Sequence, residues 1–259
     1  MCGIFGIAKQ KNAQSEYQIK QLERVLTKLT ALSVVRGEHS TGLAFISNGK
    51  NPMIFKSLKK SSNLVKHRDW DTIIEELTPE TSVVLGHTRW KTHGKITLEN
   101  AHPFHIGSVI GTHNGMIHNH RDISVNKKEV YEVDSQAVFA LFDSNSNLQE
   151  CLDEIYGDYA LAWNKGNRDI LHLLKEKGRP CYFGYWKEAR VLLYASQQDI
   201  LEEAIKGTEI SMKIYELKND TLYTIDTSKF DRKTNFTKKL YDTNVIASNY
   251  MLETNYFGG

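Results

Sequence analysis

Cysteine is scarce: three in 259 residues, at positions 2, 151 and 181, with no Cys-x-x-Cys pair. An odd number so widely spaced excludes a disulfide framework and suits a reducing compartment, the cytoplasm. Long apolar runs are missing too. The longest, Ala137 to Phe142, is far short of a membrane span, and the N-terminus lacks the charged-then-apolar pattern of a secretion signal. Neither sign of charge dominates. Thirty-three Lys and Arg stand against 31 Asp and Glu, a net charge of +2, so nothing demands nucleic acid or an anionic membrane as partner. Proline is limited to four residues, and there is no internal repeat or low-complexity block. Phosphate-binding loops are absent, both the P-loop and Gly-x-Gly-x-x-Gly, so no nucleotide cofactor is expected.

What is there begins at the second residue. An initiator Met is trimmed when the next residue is small, and Cys2 is small. Trimming leaves Cys2 with a thiol and a free α-amine, whose ordinary pKa of about 7.7–8.0 lets it act as a base near neutral pH. One residue then supplies nucleophile and general base. The plainer alternative is a small buried residue at the start of a strand.

The chain predicts a helix over Ser15–Leu32, from Ile19, Leu22, Val25, Leu26, Leu29 and Leu32 at helical spacing. A strand (Gly42–Ser47), an Asn48-Gly49 hairpin turn and a returning strand (Met53–Phe55) follow. Lys56–Arg68 is basic and reads as a solvated loop and helix entry, with an anionic partner as the alternative. After a short helix near Asp71–Leu77, strands at Ser82–His87 and Ser108–His113 flank a long irregular segment, Thr88–Gly107. Helices start at Asp134 and near Leu148. From Asp158 the chain is strand-rich, interrupted by a helix at Asp199–Lys206. Strands in runs broken by paired helices imply antiparallel sheets in a layered α+β protein. A domain over 1–226 and a polar extension over 227–259, wrapping the surface or docking a partner, are expected.

A cysteine attacking an amide needs oxyanion donors, charged groups to fix the substrate and a way to exclude water. His113-Asn114-Gly115 could supply the donors, through the Asn114 side chain and the Gly115 N–H; it could also be an ordinary Asn-Gly turn. In Gly86-His87-Thr88-Arg89-Trp90-Lys91-Thr92-His93-Gly94, Arg89 can grip a carboxylate and Trp90 can act as a lid. Asp134 could receive an ammonium or simply cap its helix. Seven of the ten histidines lie between His87 and His120, but none has zinc-protease spacing and no cysteine joins them, so no metal site is expected.

Together these residues resemble the class II glutamine amidotransferases of the N-terminal-nucleophile hydrolases, most closely the glutaminase domain of glucosamine-6-phosphate synthases. The ordered blocks are Met1-Cys2-Gly3-Ile4, Arg36-Gly37 with Ser40 and Gly42-Leu43-Ala44, then Gly86–Gly94. Asn100-Ala101-His102-Pro103 follows, then His113-Asn114-Gly115, and Val133-Asp134-Ser135. The resemblance implies a four-layer αββα sandwich of two antiparallel sheets. It implies Cys2 as nucleophile, Asn114 and Gly115 as oxyanion hole, and Arg89 with Thr92 and His93 on the glutamine α-carboxylate. Asp134 would hold the α-amine, Arg36 would buttress the nucleophile and Trp90 would support the site. One departure is His39, where the family usually carries Asp; it bears on local loop contacts. The acceptor domains of the larger family members are not in this sequence. The expectation is therefore a glutaminase subunit that hydrolyses L-glutamine and passes ammonia to a separate synthase. Hydrolysis of another γ-glutamyl amide, or a non-catalytic regulatory module, are the alternatives.

Overall fold

The computed structural model describes residues 1–92, 94–126, 130–230 and 236–241, with the side chains of 124–126 and 236 left aside. Its first strand, β1 (Gly3–Lys9), is wholly buried. Alternation explains this: Phe5 and Ile7 face one apolar cluster while Ile4 and Ala8 face another. Helix α1 (Glu16–Leu32) covers the Phe5 side. Ser15 caps it reciprocally: Gln18 N donates to Ser15 Oγ at 3.2 Å and Ser15 N donates to Gln18 Oε1 at 2.9 Å. The predicted apolar stripe is the buried face, including Leu22, Val25, Leu26 and Leu29. The helix tightens into a 3-10 turn, Ser33–Arg36, and ends at Gly37.

Strands β2 (Ser40–Ile46) and β3 (Met53–Ser57) form the expected hairpin, followed by short helices α2 (Ser61–Leu64) and α3 (Asp69–Ile74). β4 (Val83–Arg89) runs two residues beyond the expected strand, and the supposedly irregular segment contains β5 (Phe104–Ile106). Next come β6 (Val109–Ile117), α4 (His120–Asn126), α5 (Asp134–Ser144) and α6 (Leu148–Asp153). The remainder is β7 (Gly157–Lys165), β8 (Ile170–Lys175), β9 (Tyr182–Trp186), β10 (Val191–Ala195), α7 (Gln198–Ile205), β11 (Ile214–Glu216), β12 (Thr221–Asp226) and β13 (Phe236–Leu240).

All pairings are antiparallel. One sheet has the order β11-β9-β10-β1-β4-β2-β3 and the other β13-β12-β8-β7-β6-β5. Ile4, Ala8, Val83, Leu85, Ile110, Ala160 and Ala162 fill the space between them. Helices α1 and α7 cover the outer face of the first sheet, through Leu22, Leu26, Ile200 and Leu201. Helices α5 and α6 cover the second, through Val138, Phe139, Leu141 and Leu152 against Val109, Leu161 and Trp163. This is the four-layer αββα arrangement. Beyond Asp226, Phe230 is buried between the sheets, β13 pairs with β12, and Tyr241 packs near α5 and α6. The rest of the expected extension, 242–259, lies outside the described residues.

Candidate active site

Cys2 stands one residue ahead of β1, so the pairing of β1 decides what surrounds it. On one side Ile4 N donates to Ser196 Oγ at 2.9 Å and Ser196 N donates to Ile4 O at 2.8 Å. On the other, Gly3 pairs with Thr88 of β4, which carries Arg89 and Trp90 past the thiol. Trp90 N–H donates to Cys2 Sγ at 3.4 Å, and the thiol reaches Trp90 O at the same distance. Arg36, delivered by the 3-10 turn, donates from Nε to Cys2 O at 3.2 Å. Gly37 lies flat on the end of β4. A Cβ there would come within 2.4 Å of the Arg89 carbonyl carbon and 2.6 Å of Trp90 N, so no larger residue fits.

His39 fills the position where the resemblance leads one to expect Asp. Its N–H donates to Arg89 O at 3.0 Å and its Nδ1 accepts from Lys91 N at 2.9 Å. Its ring lies 5.0 Å from that of Trp90. His39 thus ties the turn to the start of the Trp90 loop through a ring-nitrogen acceptor. Further along that loop, Arg89 Nη1 and Asn100 Nδ2 both donate to Lys95 O, at 2.9 and 3.2 Å, and Lys95 N donates to Glu132 Oε1 at 2.6 Å.

The second sheet supplies the opposite wall. Asp134 is buried at the first position of α5, with Val133, not Asp134, at the N-cap. Its carboxylate accepts from Ile117 N and Ser135 N, each at 2.9 Å, binding the end of β6 to the helix. Asn114, on β6, is fully buried, and neither its Oδ1 nor its Nδ2 has a hydrogen-bond partner among the described residues. A buried amide left in that state costs about 1–3 kcal/mol. Gly115 follows it. A Cβ there would sit 2.0 Å from Asp158 O and 2.7 Å from His113 Nε2.

Cys2, Arg89, Trp90, Thr92, Gly115 and Asp134 line one narrow cleft with His102, His113, Val133 and Ser135. Asn114 lies on the same strand as Gly115 but is not part of that lining, Arg36 sits behind the cysteine, and His93 lies outside the described residues. The cleft holds only about 10 Å³ of free space. Two hollows of about 550 and 660 Å³ lie elsewhere, lined by Phe55, Lys56 and Leu98 in one and Phe183, Tyr215 and Tyr223 in the other.

Burial raises the Cys2 thiol pKa, although part of the residue keeps solvent exposure; the Trp90 N–H and the Arg89 charge pull the other way. The thiol is therefore protonated at rest and needs a base. Burial also keeps the neighbouring imidazoles neutral: His87 is pushed down to about 3, and His102 and His113 are lowered as well. His102 stacks on His87 at 3.9 Å, His87 Nε2 donates to His113 O at 2.9 Å, and His113 Nδ1 meets Ser135 Oγ at 2.8 Å. As wall residues, His102, His113 and Ser135 were missed by reasoning from sequence. Their only signal was membership of the blocks Asn100–Pro103, His113–Gly115 and Val133–Ser135.

The pattern described as "Glutamine amidotransferase domain" matches residues 40–240. The chain belongs to the class II glutamine amidotransferases. Within that family, the glutamine–fructose-6-phosphate aminotransferase (isomerizing) of Fusobacterium nucleatum is 34% identical over 178 residues, covering 62% of this chain and 26% of the relative. The Buchnera aphidicola enzyme of the same name is 28% identical over 222 residues, 80% of this chain and 33% of the relative. The chain thus spans about a third or less of these relatives. Among solved structures, an allosteric regulatory enzyme of purine biosynthesis superposes with a TM-score of 0.68 at 16% identity, over 94% of this chain and 50% of that one. The glutamine phosphoribosylpyrophosphate amidotransferase of B. subtilis gives 0.66 at 15%, with the same coverage. These two superpositions show a shared fold.

Proposed function

We propose that this protein hydrolyses the side-chain amide of L-glutamine through a γ-glutamyl thioester on Cys2, and that the ammonia passes to a separate synthase. The supporting observation is that a thiol, a guanidinium and a carboxylate share one cleft: Cys2, Arg89 and Asp134. Free glutamine is a zwitterion with an amide one side-chain length away. Arg89 holds its α-carboxylate, helped by Thr92 and, as the family resemblance implies, by His93, and Asp134 holds its α-ammonium.

Met1 must leave first, because with Met1 attached the nitrogen of Cys2 is an amide and cannot take a proton. In the processed chain the α-amine accepts the thiol proton as sulfur attacks the amide carbon. The carbonyl oxygen becomes an oxyanion, stabilised by Asn114 Nδ2 and Gly115 N–H. The ammonium returns the proton to the leaving nitrogen, the C–N bond breaks, and ammonia departs from the thioester. Water, losing a proton to the same amine, attacks the thioester; glutamate leaves and the thiol reforms. The narrow cleft requires the exposed Trp90 and the loop after it to swing aside for entry and close again to exclude water.

Among the described residues no cysteine is in a disulfide, and no helix is long and apolar enough to cross a membrane. A reducing cytoplasm suits the reactive thiol. The test is to confirm Met1 removal by intact mass, then measure glutamate release from glutamine and from a panel of γ-glutamyl amides, with and without cell extract. Glutamine is expected to be much the best substrate. No glutamate release by the processed protein under any of these conditions overturns the reading.

A further inference from the structure

Arg179 precedes Pro180 between β8 and β9, far in sequence from every residue given a role above. In space it reaches the start of the chain. Its Nη1 lies 2.8 Å from Met1 Sδ, and its Nη2 donates to Asp158 Oδ1 at 2.9 Å. Asp158 Oδ1 also accepts from Met116 N at 3.1 Å, directly after Gly115. The guanidinium is mostly buried, and its Nε has no hydrogen-bond partner among the described residues. Arg36 approaches the same point from the 3-10 turn after α1, donating to Cys2 O. Two cations therefore flank the first residues, and Arg179 is paired with Asp158 as well as touching the methionine. The Asp158 partner remains when Met1 is removed.

We propose that Arg179 is a positioning residue that keeps the Cys2 α-amine in its free-base form near neutral pH, with Asp158 setting how strongly its charge is felt. This rests on the reading of Cys2 as nucleophile and its amine as base. A protonated amine cannot take the thiol proton, and the buried thiol does not ionise by itself. A cation close to the amine disfavours a second positive charge there and holds the lone pair available. The amine of Met1, one residue earlier, follows this logic: burial lowers its pKa most, the neighbouring Cys2 thiol raises it, and the Arg36 and Arg179 charges lower it. The other charged groups around the site are Arg89 from β4, Asp134 from α5 and Asp158 from β7, with Asp199 of α7 acting on Arg36. Of these, Arg179 and Asp158 are the pair whose charges can be removed one at a time without touching the groups assigned to glutamine.

The pair gives a test with opposite signs. Arg179→Gln removes the cation and raises the amine pKa. The acid limb of the kcat/KM profile moves up by about half to one pH unit, so activity falls about threefold to tenfold on that limb and recovers at high pH. Arg179→Lys retains most of the wild-type profile. Asp158→Asn keeps an oxygen acceptor for Met116 N but frees the Arg179 charge, so the limb moves to lower pH. A merely structural role would shift both variants the same way or lower the plateau without moving the limb. To separate this proposal from glutaminase chemistry, the same three changes are made in a Cys2→Ala background. The N-terminal amine is then titrated by NMR with labelled Ala at that position. A higher amine pKa in Arg179→Gln and a lower one in Asp158→Asn support the assignment even if the protein never turns over glutamine. An amine pKa unchanged in both variants overturns it.

Discussion

Two concave regions of this protein could hardly differ more. The hollow toward the β11 and β13 edge of the sandwich offers about 660 Å³, lined by Phe183, Tyr185, Tyr215, Tyr223 and four lysines. Its rings pack on one another, Phe183 with Tyr215 at 5.9 Å and with Tyr223 at 5.6 Å, and Lys238 Nζ stands 5.1 Å from the Tyr223 ring. The cleft at Cys2 offers about 10 Å³ yet concentrates a thiol, Arg89 and Asp134, with the unpaired Asn114 amide alongside. Room is therefore a poor guide to chemistry here. Burial of groups that water would stabilise better is the informative sign, because a fold carries that cost where it needs the groups.

The sharpest way to break the comparison is to remove the thiol. Cys2→Ala is expected to lower glutaminase activity by more than about 10³-fold, with the melting temperature little changed, since only one sulfur is lost, next to the chain end. Residual turnover within tenfold of the parent would move the chemistry elsewhere. Next in size is Asn114→Ala. It should lower kcat by about 10²–10³-fold, the scale of a lost oxyanion donor. It should also cost little stability, because the amide it deletes has no partner in the resting fold. Steady-state kinetics with urea melts would show both; a large stability loss with kcat intact would make Asn114 a structural residue. Arg89→Ala is expected to act mainly on KM, raising it about tenfold to a hundredfold. An unchanged KM would remove its role in gripping the carboxylate. At the other concavity, Tyr215→Ala should leave kcat/KM within about twofold, the residue being more than half exposed and distant in the sheet order from β1, β4 and β6.

Much of this contrast was legible in the sequence, and the part that was not has a physical reason. The α1 stripe, the strand alternation and the ordered site blocks announced the layers and the cleft, because periodicity and turn residues act locally. Strand β5 and helix α4 were not foreseen. β5 is three residues long and takes its identity from pairing with β6. Arg36 and Arg89 were visible as charges, but nothing local says that an arginine at 179 returns to residue 1. Such contacts are created by the sheet order, which brings β9, β10, β1 and β4 side by side. His39 teaches the same lesson: as a departure from a motif it suggested altered contacts, and the fold uses its ring nitrogen as a backbone acceptor.

The smallest expected effect concerns buried histidines and separates the frame from the cleft once more. His172 lies in the frame, 5.0 Å from the Trp163 ring and 3.1 Å from Thr224 Oγ1, and burial lowers its pKa to about 4. His87, beneath the cleft, falls to about 3 for the same main reason. In each case the unfolded chain, at about 6.5, binds a proton more readily than the folded one. Stability supplied this way is present above pH 6.5 and is lost as pH falls toward the folded value. Each histidine should therefore cost on the order of 1–2 kcal/mol of unfolding free energy between pH 7 and 5. His172→Gln should remove one such increment from the pH dependence while leaving the shape of the glutaminase pH profile unchanged. Urea melts at pH 7 and 5, beside kinetics over the same range, would measure both. If His172→Gln reshaped the kinetic profile, frame and cleft would be electrostatically coupled, and the separation between them would fail.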